Sequence, residues 1–264
     1  MNKRYAVIAV ILGAVILCWS IQEIRETYLF HDELEYLVYN GEELFESEVY
    51  PYTFAYFGDS RPESVGEVPK VFRTVVQMIN EDNPLFVIGG GDFVFEGTPQ
   101  YFEEFLTYIS ALNPPLFYVC GNHDDSSYYE EYLGERVYAF TYRNSIFIIL
   151  DNSKKVLNES QLHFLEDQLK KGFEHSFVFI HVPPFDPEGT YSMIHPEEFM
   201  EIVLNYEVDY VFSSHIHSFY EMRRGDTIFV ISGGAGSPVR RGGYFHYIII
   251  DVKDTITYTM RCVP

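Results

Sequence analysis

Pro115-Leu116-Phe117-Tyr118-Val119-Cys120-Gly121-Asn122-His123-Asp124-Asp125 is an apolar run that ends in a glycine and a cluster of polar side chains. The unbroken apolar and aromatic character of residues 115–120 predicts a buried strand, and Gly121 ends it, so an amide, an imidazole and carboxylates emerge at its carboxyl end. In open α/β sheets that end is where ligands bind. Taken alone, such a motif is more often a capped turn, and the rest of the chain decides between the two readings. Gly58-Asp59 follows the run Tyr52–Phe57, Gly91-Asp92 follows Pro84–Ile88, His181 follows Phe177–Ile180, and His215-Ile216-His217 follows Val208–Ser213. The repetition predicts one metal site gathered from successive strand ends. His215 and His217, one residue apart, reach the same side of an extended backbone. Imidazole, carboxylate and amide donors without a thiolate suit a borderline or hard divalent ion such as manganese, iron or zinc.

Between these strands the apolar spacing is helical. Val68 to Asn80 carries Val71, Phe72, Val75, Val76 and Ile79 on one face; Thr98 to Leu112 starts with Thr98 as N-cap and Pro99 in the first turn; Ser160 to Lys171 ends at Gly172; and Pro196 to Tyr206 is a further helix. Ser126 to Leu133 reads as a tyrosine-rich loop. Val137 to Tyr142 and Ser145 to Leu150 read as a hairpin around Arg143-Asn144, and Val182-Pro183-Pro184 forces a turn after His181. The last third changes character: Thr227 to Ser232, Tyr244 to Val252 and Thr255 to Arg261 follow one another as strands, which favours antiparallel pairing. The expected class is α/β, with two mixed sheets packed face to face and helices outside.

The chain has 264 residues, 47% of them hydrophobic, enough to bury one large core. Its 18 Lys+Arg against 39 Asp+Glu give a net charge of −21, which argues against a duplex nucleic-acid partner. Three scattered cysteines build neither a disulfide framework nor a thiolate zinc site. Lys3 and Arg4 precede an uncharged stretch from Tyr5 to Ile21. At about 26 Å as a helix it is close to a bilayer core. Residues 1–21 are therefore expected to be a signal-anchor segment, with cleavage and secretion as the alternative. With Lys3 and Arg4 before it and acidic residues after it, the bulk of the chain is expected on the extracytoplasmic side. Residues 22–52 are read as a juxtamembrane connector, and 53–264 as the catalytic domain.

With these motifs in order (Gly58-Asp59, Gly91-Asp92, Gly121-Asn122-His123-Asp124, His181, His215-Ile216-His217), the sequence from about Thr53 to Val252 resembles the calcineurin-like metallophosphoesterase superfamily. The resemblance implies a four-layer α/β/β/α sandwich with a two-metal centre. In it Asp92 would bridge the ions, Asp59 and His217 would serve one, and Asn122, His181 and His215 the other. It further implies hydrolysis of phosphomonoesters or phosphodiesters by a metal-activated water. His123 would protonate the leaving group, and Asp124 would hold the His123 ring.

The chain departs from the superfamily's Asp-x-His pattern at Arg61, whose guanidinium has no lone pair to give a metal. Arg61 is either a surface residue on a turn or a grip on a phosphate oxygen. The same departure keeps open a non-catalytic reading, as a phospho-ligand-binding or scaffold protein of this fold at the membrane. Retention of His123, which binds no metal in the scheme the resemblance implies, favours an enzyme acting on phosphorylated small molecules or phosphoproteins. His195, Tyr191, Tyr128 and Tyr129, in loops at strand ends, are the expected walls of the substrate cleft.

Overall fold

A computed structural model describes residues 49–64, 70–187, 189 and 191–264. The anchor reading and most of the connector reading fall on residues 1–48, outside the described ones. Among the described residues no helix is long and apolar enough to cross a membrane.

The strands are β1 (Tyr52–Phe57), β2 (Phe86–Gly89), β3 (Leu116–Tyr118), β4 (Tyr138–Tyr142), β5 (Ser145–Ile149), β6 (His175–Phe179), β7 (Tyr210–Ser213), β8 (Phe219–Arg224), β9 (Thr227–Ser232), β10 (His246–Val252) and β11 (Thr257–Cys262). The helices are α1 (Lys70–Asp82), α2 (Pro99–Ile109), α3 (Tyr129–Leu133), α4 (Glu159–Leu169) and α5 (Glu197–Asn205). One sheet runs β11-β10-β1-β2-β3 and the other β4-β5-β6-β7-β9-β8. Strands β1, β2 and β3 are parallel, as are β5, β6, β7 and β9, while β10, β11, β4 and β8 pair antiparallel. Both sheets are therefore mixed.

Their facing sides form an aromatic core. Phe54 stacks on Phe86 within its own sheet (5.3 Å, 9°) and meets Phe147 and Phe177 of the other sheet edge-on at 5.4 and 5.3 Å. Such pairs add about 0.5–1.5 kcal/mol each beyond simple burial. Outside the first sheet lie α1, through Phe72, Val75, Val76 and Ile79, and α2, through Phe102, Phe105, Leu106 and Ile109. Outside the second lie α4 and α5, through Leu162, Leu165, Phe199 and Val203. The order is the expected α/β/β/α sandwich.

Three local readings are corrected. Residues 129–133 of the expected tyrosine-rich loop form α3, and Tyr129 is fully buried with the Arg136 guanidinium 4.8 Å from its ring centre. Its phenol therefore packs the core instead of walling a cleft. Strand β8 was not foreseen: Phe-Tyr-Glu-Met-Arg-Arg lies at a sheet edge, half exposed, so little apolar alternation marks it. Finally, β9 does not pair with β10. It runs parallel to β7, and the chain then crosses to the other sheet, where β10 lies antiparallel between β1 and β11. Thr98 does stand at the N-cap of α2, but its side chain makes no capping hydrogen bond.

Candidate metal centre

Both sheets point their carboxyl ends at one place. Asp59 follows β1, Asp92 follows β2, Asn122 and His123 follow β3, His181 follows β6, and His215 and His217 follow β7. The backbone there is bent into the left-handed region: φ is 56° at Asp59, 57° at Asp92, 65° at His215 and 40° at His217. For residues with a Cβ that conformation costs about 1–2 kcal/mol each, and it clusters where function over-determines geometry. The loops hold one another in place, through Asp59 N–H to the Gly91 carbonyl (3.0 Å) and Arg61 N–H to the Asp92 carbonyl (2.9 Å). Gly121 is required by close approach, because a Cβ there would sit 2.1 Å from the Asp92 nitrogen.

The donor atoms fall into two overlapping sets. One atom each from Asp92, His181 and His215 lies within 4.8 Å of the others, and so does one each from Asp59, Asp92 and His217. Asp92 belongs to both. Asn122 Oδ1 is 3.2 Å and Asp92 Oδ1 3.4 Å from His181 Nε2, and Asp59 Oδ1 is 3.4 Å from His217 Nε2. His181 Nδ1 donates to the Gly90 carbonyl (2.8 Å) and His217 Nδ1 to the Pro238 carbonyl (3.0 Å). A carbonyl only accepts, so each ring carries a proton on Nδ1 and turns Nε2 to the centre, the orientation usual for metal-bound imidazoles.

Polar atoms buried here without a partner test whether an ion fits. Both oxygens of the fully buried Asp59 carboxylate and Nε2 of His215 have no hydrogen bond. His217 Nε2 approaches one of these oxygens only to 3.4 Å; a buried carboxylate so weakly paired is costly, and a divalent cation satisfies it. These residues therefore fit the metal pair.

The electrostatics divide the three rings. Burial pushes His215 down to about 3, helped by the charge of His181, so this ring is neutral and its lone pair available at neutral pH. Burial also opposes charge on His181 and His217, but the carboxylates outweigh it, Asp92 and Asp59 at His181 and Asp59 at His217, and both values are raised. Asp59 is held low despite its burial, because His217 lies against it.

Asp124 does not touch the His123 ring. Its Oδ2 accepts Asp92 N–H (2.7 Å) and Gly121 N–H (2.9 Å), and its Oδ1 accepts Phe93 N–H (2.8 Å) and Val94 N–H (3.1 Å). Residues 122–124 form a turn, so neighbours point different ways: Asp124 turns into the core and buckles two loops together. Burial and the Asp92 charge push its carboxyl up to about 7, against the pull of those backbone donors. His123, half-exposed, is held instead by the Phe95 carbonyl, 2.8 Å from Nδ1, and its backbone N–H bonds Asp92 Oδ1 at 2.9 Å.

Arg61 is no surface residue: its Nε stands 3.7 Å from Asp92 Oδ2 and its side chain is 16% exposed. His195 is exposed, and among the described residues no hydrogen bond or ion pair joins it to the centre. Its segment is anchored by Ile194 N–H to the Lys155 carbonyl (2.7 Å), which brings Tyr191 forward in its place, 6.1 Å from the His215 ring. Tyr128 is exposed on the surface.

Two supporting residues escaped the sequence reading. Asn152, fully buried, accepts His181 N–H and Val182 N–H on Oδ1 (both 2.9 Å) and donates to the Val182 carbonyl (2.6 Å). A signal existed, since Asp151-Asn152 is itself a polar exit from an apolar run. Arg136 bonds Asp125 (2.8 Å), Asp151 (3.0 Å) and the Ser126 carbonyl (2.6 Å), tying the ends of β3 and β5. Nothing in its sequence context marked it.

A sequence profile described as calcineurin-like phosphoesterase matches residues 52–219. A probable cyclic nucleotide phosphodiesterase of Synechococcus is 24% identical over 58% of this chain and 65% of its own length. A glycerophosphodiester phosphodiesterase of Enterobacter lignolyticus is 30% identical over 45% of this chain and 49% of its own. The chain thus spans less than two thirds of either relative. A dimetal phosphatase from Danio rerio superposes over 80% of this chain and 96% of its own with a TM-score of 0.64 at 14% identity, which shows a shared fold. A purple acid phosphatase from yellow lupin gives 0.64 at 15% identity over 80% of this chain and 51% of that one. By the profile match over more than half its length, with the strand-end donors in order, this chain belongs to the calcineurin-like phosphoesterase family.

Proposed function

We propose that this protein is a metal-dependent phosphoesterase, acting on phosphodiesters first and phosphomonoesters second. The observation that carries the reading is Asp92, a buried carboxylate common to two donor sets that draw on both sheets. The order of substrates rests on the two curated relatives, both of which bear phosphodiesterase names.

Asp59, Asp92 and His217 would hold one ion, and Asp92, Asn122, His181 and His215 the other. Bound there, divalent ions supply positive charge to the phosphoryl oxygens and acidify a water molecule as nucleophile. The chain's own groups do the rest. His123 offers its Nε2 proton to the departing oxygen, held at the other nitrogen by the Phe95 carbonyl. Asp124 and Gly121 fix Asp92, while Asn152 and the Gly90 carbonyl fix His181. Tyr191 borders the mouth beside His215.

The test is hydrolysis of bis(4-nitrophenyl) phosphate and 4-nitrophenyl phosphate by the purified full chain with manganese, iron or zinc. Turnover that a chelator abolishes and metal restores is expected. Metal uptake without turnover of either ester would instead assign the chain to the phospho-ligand-binding alternative.

The uncharged stretch Tyr5 to Ile21, behind Lys3 and Arg4, supports a membrane anchor with the enzyme on the extracytoplasmic side. Retention of the full chain in the membrane fraction after a carbonate wash is the expected result, and release into the supernatant overturns it.

A further inference from the structure

The two halves of the centre are not built alike. Around Asp92, Oδ1 faces His181 Nε2 (3.4 Å) and accepts the His123 N–H (2.9 Å), whereas Oδ2 faces Arg61 Nε (3.7 Å). Arg61 is held in place. Its backbone N–H donates to the Asp92 carbonyl, its carbonyl accepts the Ser237 hydroxyl at 3.2 Å, and Nη1 reaches the Pro62 carbonyl at 3.2 Å. Its Nε is buried and has no hydrogen-bond acceptor. A guanidinium stays charged and has no lone pair to give an ion.

On the His181 side an ion meets one carboxylate, two imidazoles and the Asn122 amide oxygen, with no fixed cation against Asp92 Oδ1. On the Asp59 side it meets two carboxylates and one imidazole, but there a permanent positive charge, that of Arg61, already stands 3.7 Å from Asp92 Oδ2. Resting on the metal-centre reading above, we infer that the centre is a hybrid: the Asp92–Asn122–His181–His215 half takes its ion tightly, while Arg61 weakens the ion at the Asp59–Asp92–His217 half and supplies part of that charge itself. The buried Nε–H then serves as a donor to a phosphate oxygen. Arg61 acts as a resident cation at the position where a second strong ion would otherwise sit.

Metal analysis and calorimetry on the full chain, stripped with a chelator and titrated with manganese, test this without reference to turnover. Wild type is expected to bind one ion tightly and the second at least tenfold more weakly. Arg61→His, which adds a donor and removes the fixed charge, is expected to bring the two affinities within about threefold. Arg61→Gln should tighten the second ion less than Arg61→His, and should weaken inorganic phosphate binding to the manganese-loaded protein about tenfold or more, the scale of a lost charge-assisted hydrogen bond. Two equally tight ions in wild type would overturn the inference, even if both substitutions prevented folding. So would Arg61→Gln with wild-type affinity for both the second ion and phosphate. Unequal loading with no ester hydrolysis would leave this inference standing and remove the proposed activity; hydrolysis with equal loading would do the reverse.

Discussion

Replacing Asn152 by alanine removes a side chain that offers no atom to either donor set, yet it should cost both stability and metal affinity. Asn152 is fully buried and makes three hydrogen bonds to the backbone at His181 and Val182, at 2.9, 2.9 and 2.6 Å. Alanine strands two N–H donors and one carbonyl, each worth about 1–3 kcal/mol when left unsatisfied. Partial relaxation and water entry bring the expected loss to about 3–5 kcal/mol in the metal-free protein. For a domain of this size about 2–4 °C accompanies each kcal/mol, so the midpoint should drop by about 6–20 °C. Because those bonds orient His181, whose Nε2 faces the centre, manganese affinity should fall about 10- to 100-fold. Scanning calorimetry of chelated protein and manganese titration measure the two effects. Leu150→Ala is the control: it opens a cavity in the same strand end at a similar cost of about 2–5 kcal/mol, and should leave metal affinity within about threefold. Equal loss of affinity in Leu150→Ala and Asn152→Ala, or none in Asn152→Ala, would refute the positioning argument.

Other consequences follow from the same geometry. His123→Ala should keep metal content while slowing alkyl phosphoesters about 10²- to 10⁴-fold and nitrophenyl esters far less, because only the poor leaving group needs a proton; equal losses on both would remove His123 from that role. Asp124→Asn replaces an oxygen that accepts two N–H groups with an amide that donates into them, and should cost about 2–4 kcal/mol, read by denaturant unfolding of the metal-free protein; a change under 1 kcal/mol would contradict the buckle. His215 is held at about 3 when folded, below its unfolded value near about 6.5. The unfolded chain therefore binds more protons between these values, and metal-free stability is lost as pH falls from about 6.5 towards about 3. His215 contributes up to about 1.4 kcal/mol per pH unit of that slope. His215→Phe should flatten the stability profile by that amount between pH 4 and 6, and an unchanged slope would show that the ring protonates freely in the fold.

What the sequence made legible follows a physical pattern. Strands such as Tyr52–Phe57 and Phe177–Ile180 are buried on both faces, so their apolar runs are unbroken and their polar exits stand out, which is why Asp59, Asp92, Asn122, His181, His215 and His217 could be gathered in advance. An edge strand gives no such contrast, and β8 was missed for that reason. Adjacency misled in the turn at 122–124, where Asp124 and His123 are neighbours in sequence and opposed in space. It misled again at His195, where the loop's anchoring at Ile194 brings Tyr191 to the mouth. Asn152 carried the same signal as the donors but lies behind them, a distinction set by which sheet end faces which loop.

The most direct test of the account is the metal content and phosphodiesterase rate of Asp92→Asn, measured beside His217→Ala. Asp92 is common to both donor sets and His217 to one. Asp92→Asn is expected to lose both ions and at least about a thousandfold in rate, the scale on which enzymes lose a group essential to the transition state, while His217→Ala still binds the ion on the His181 side. Wild-type metal stoichiometry and wild-type turnover in Asp92→Asn would contradict it.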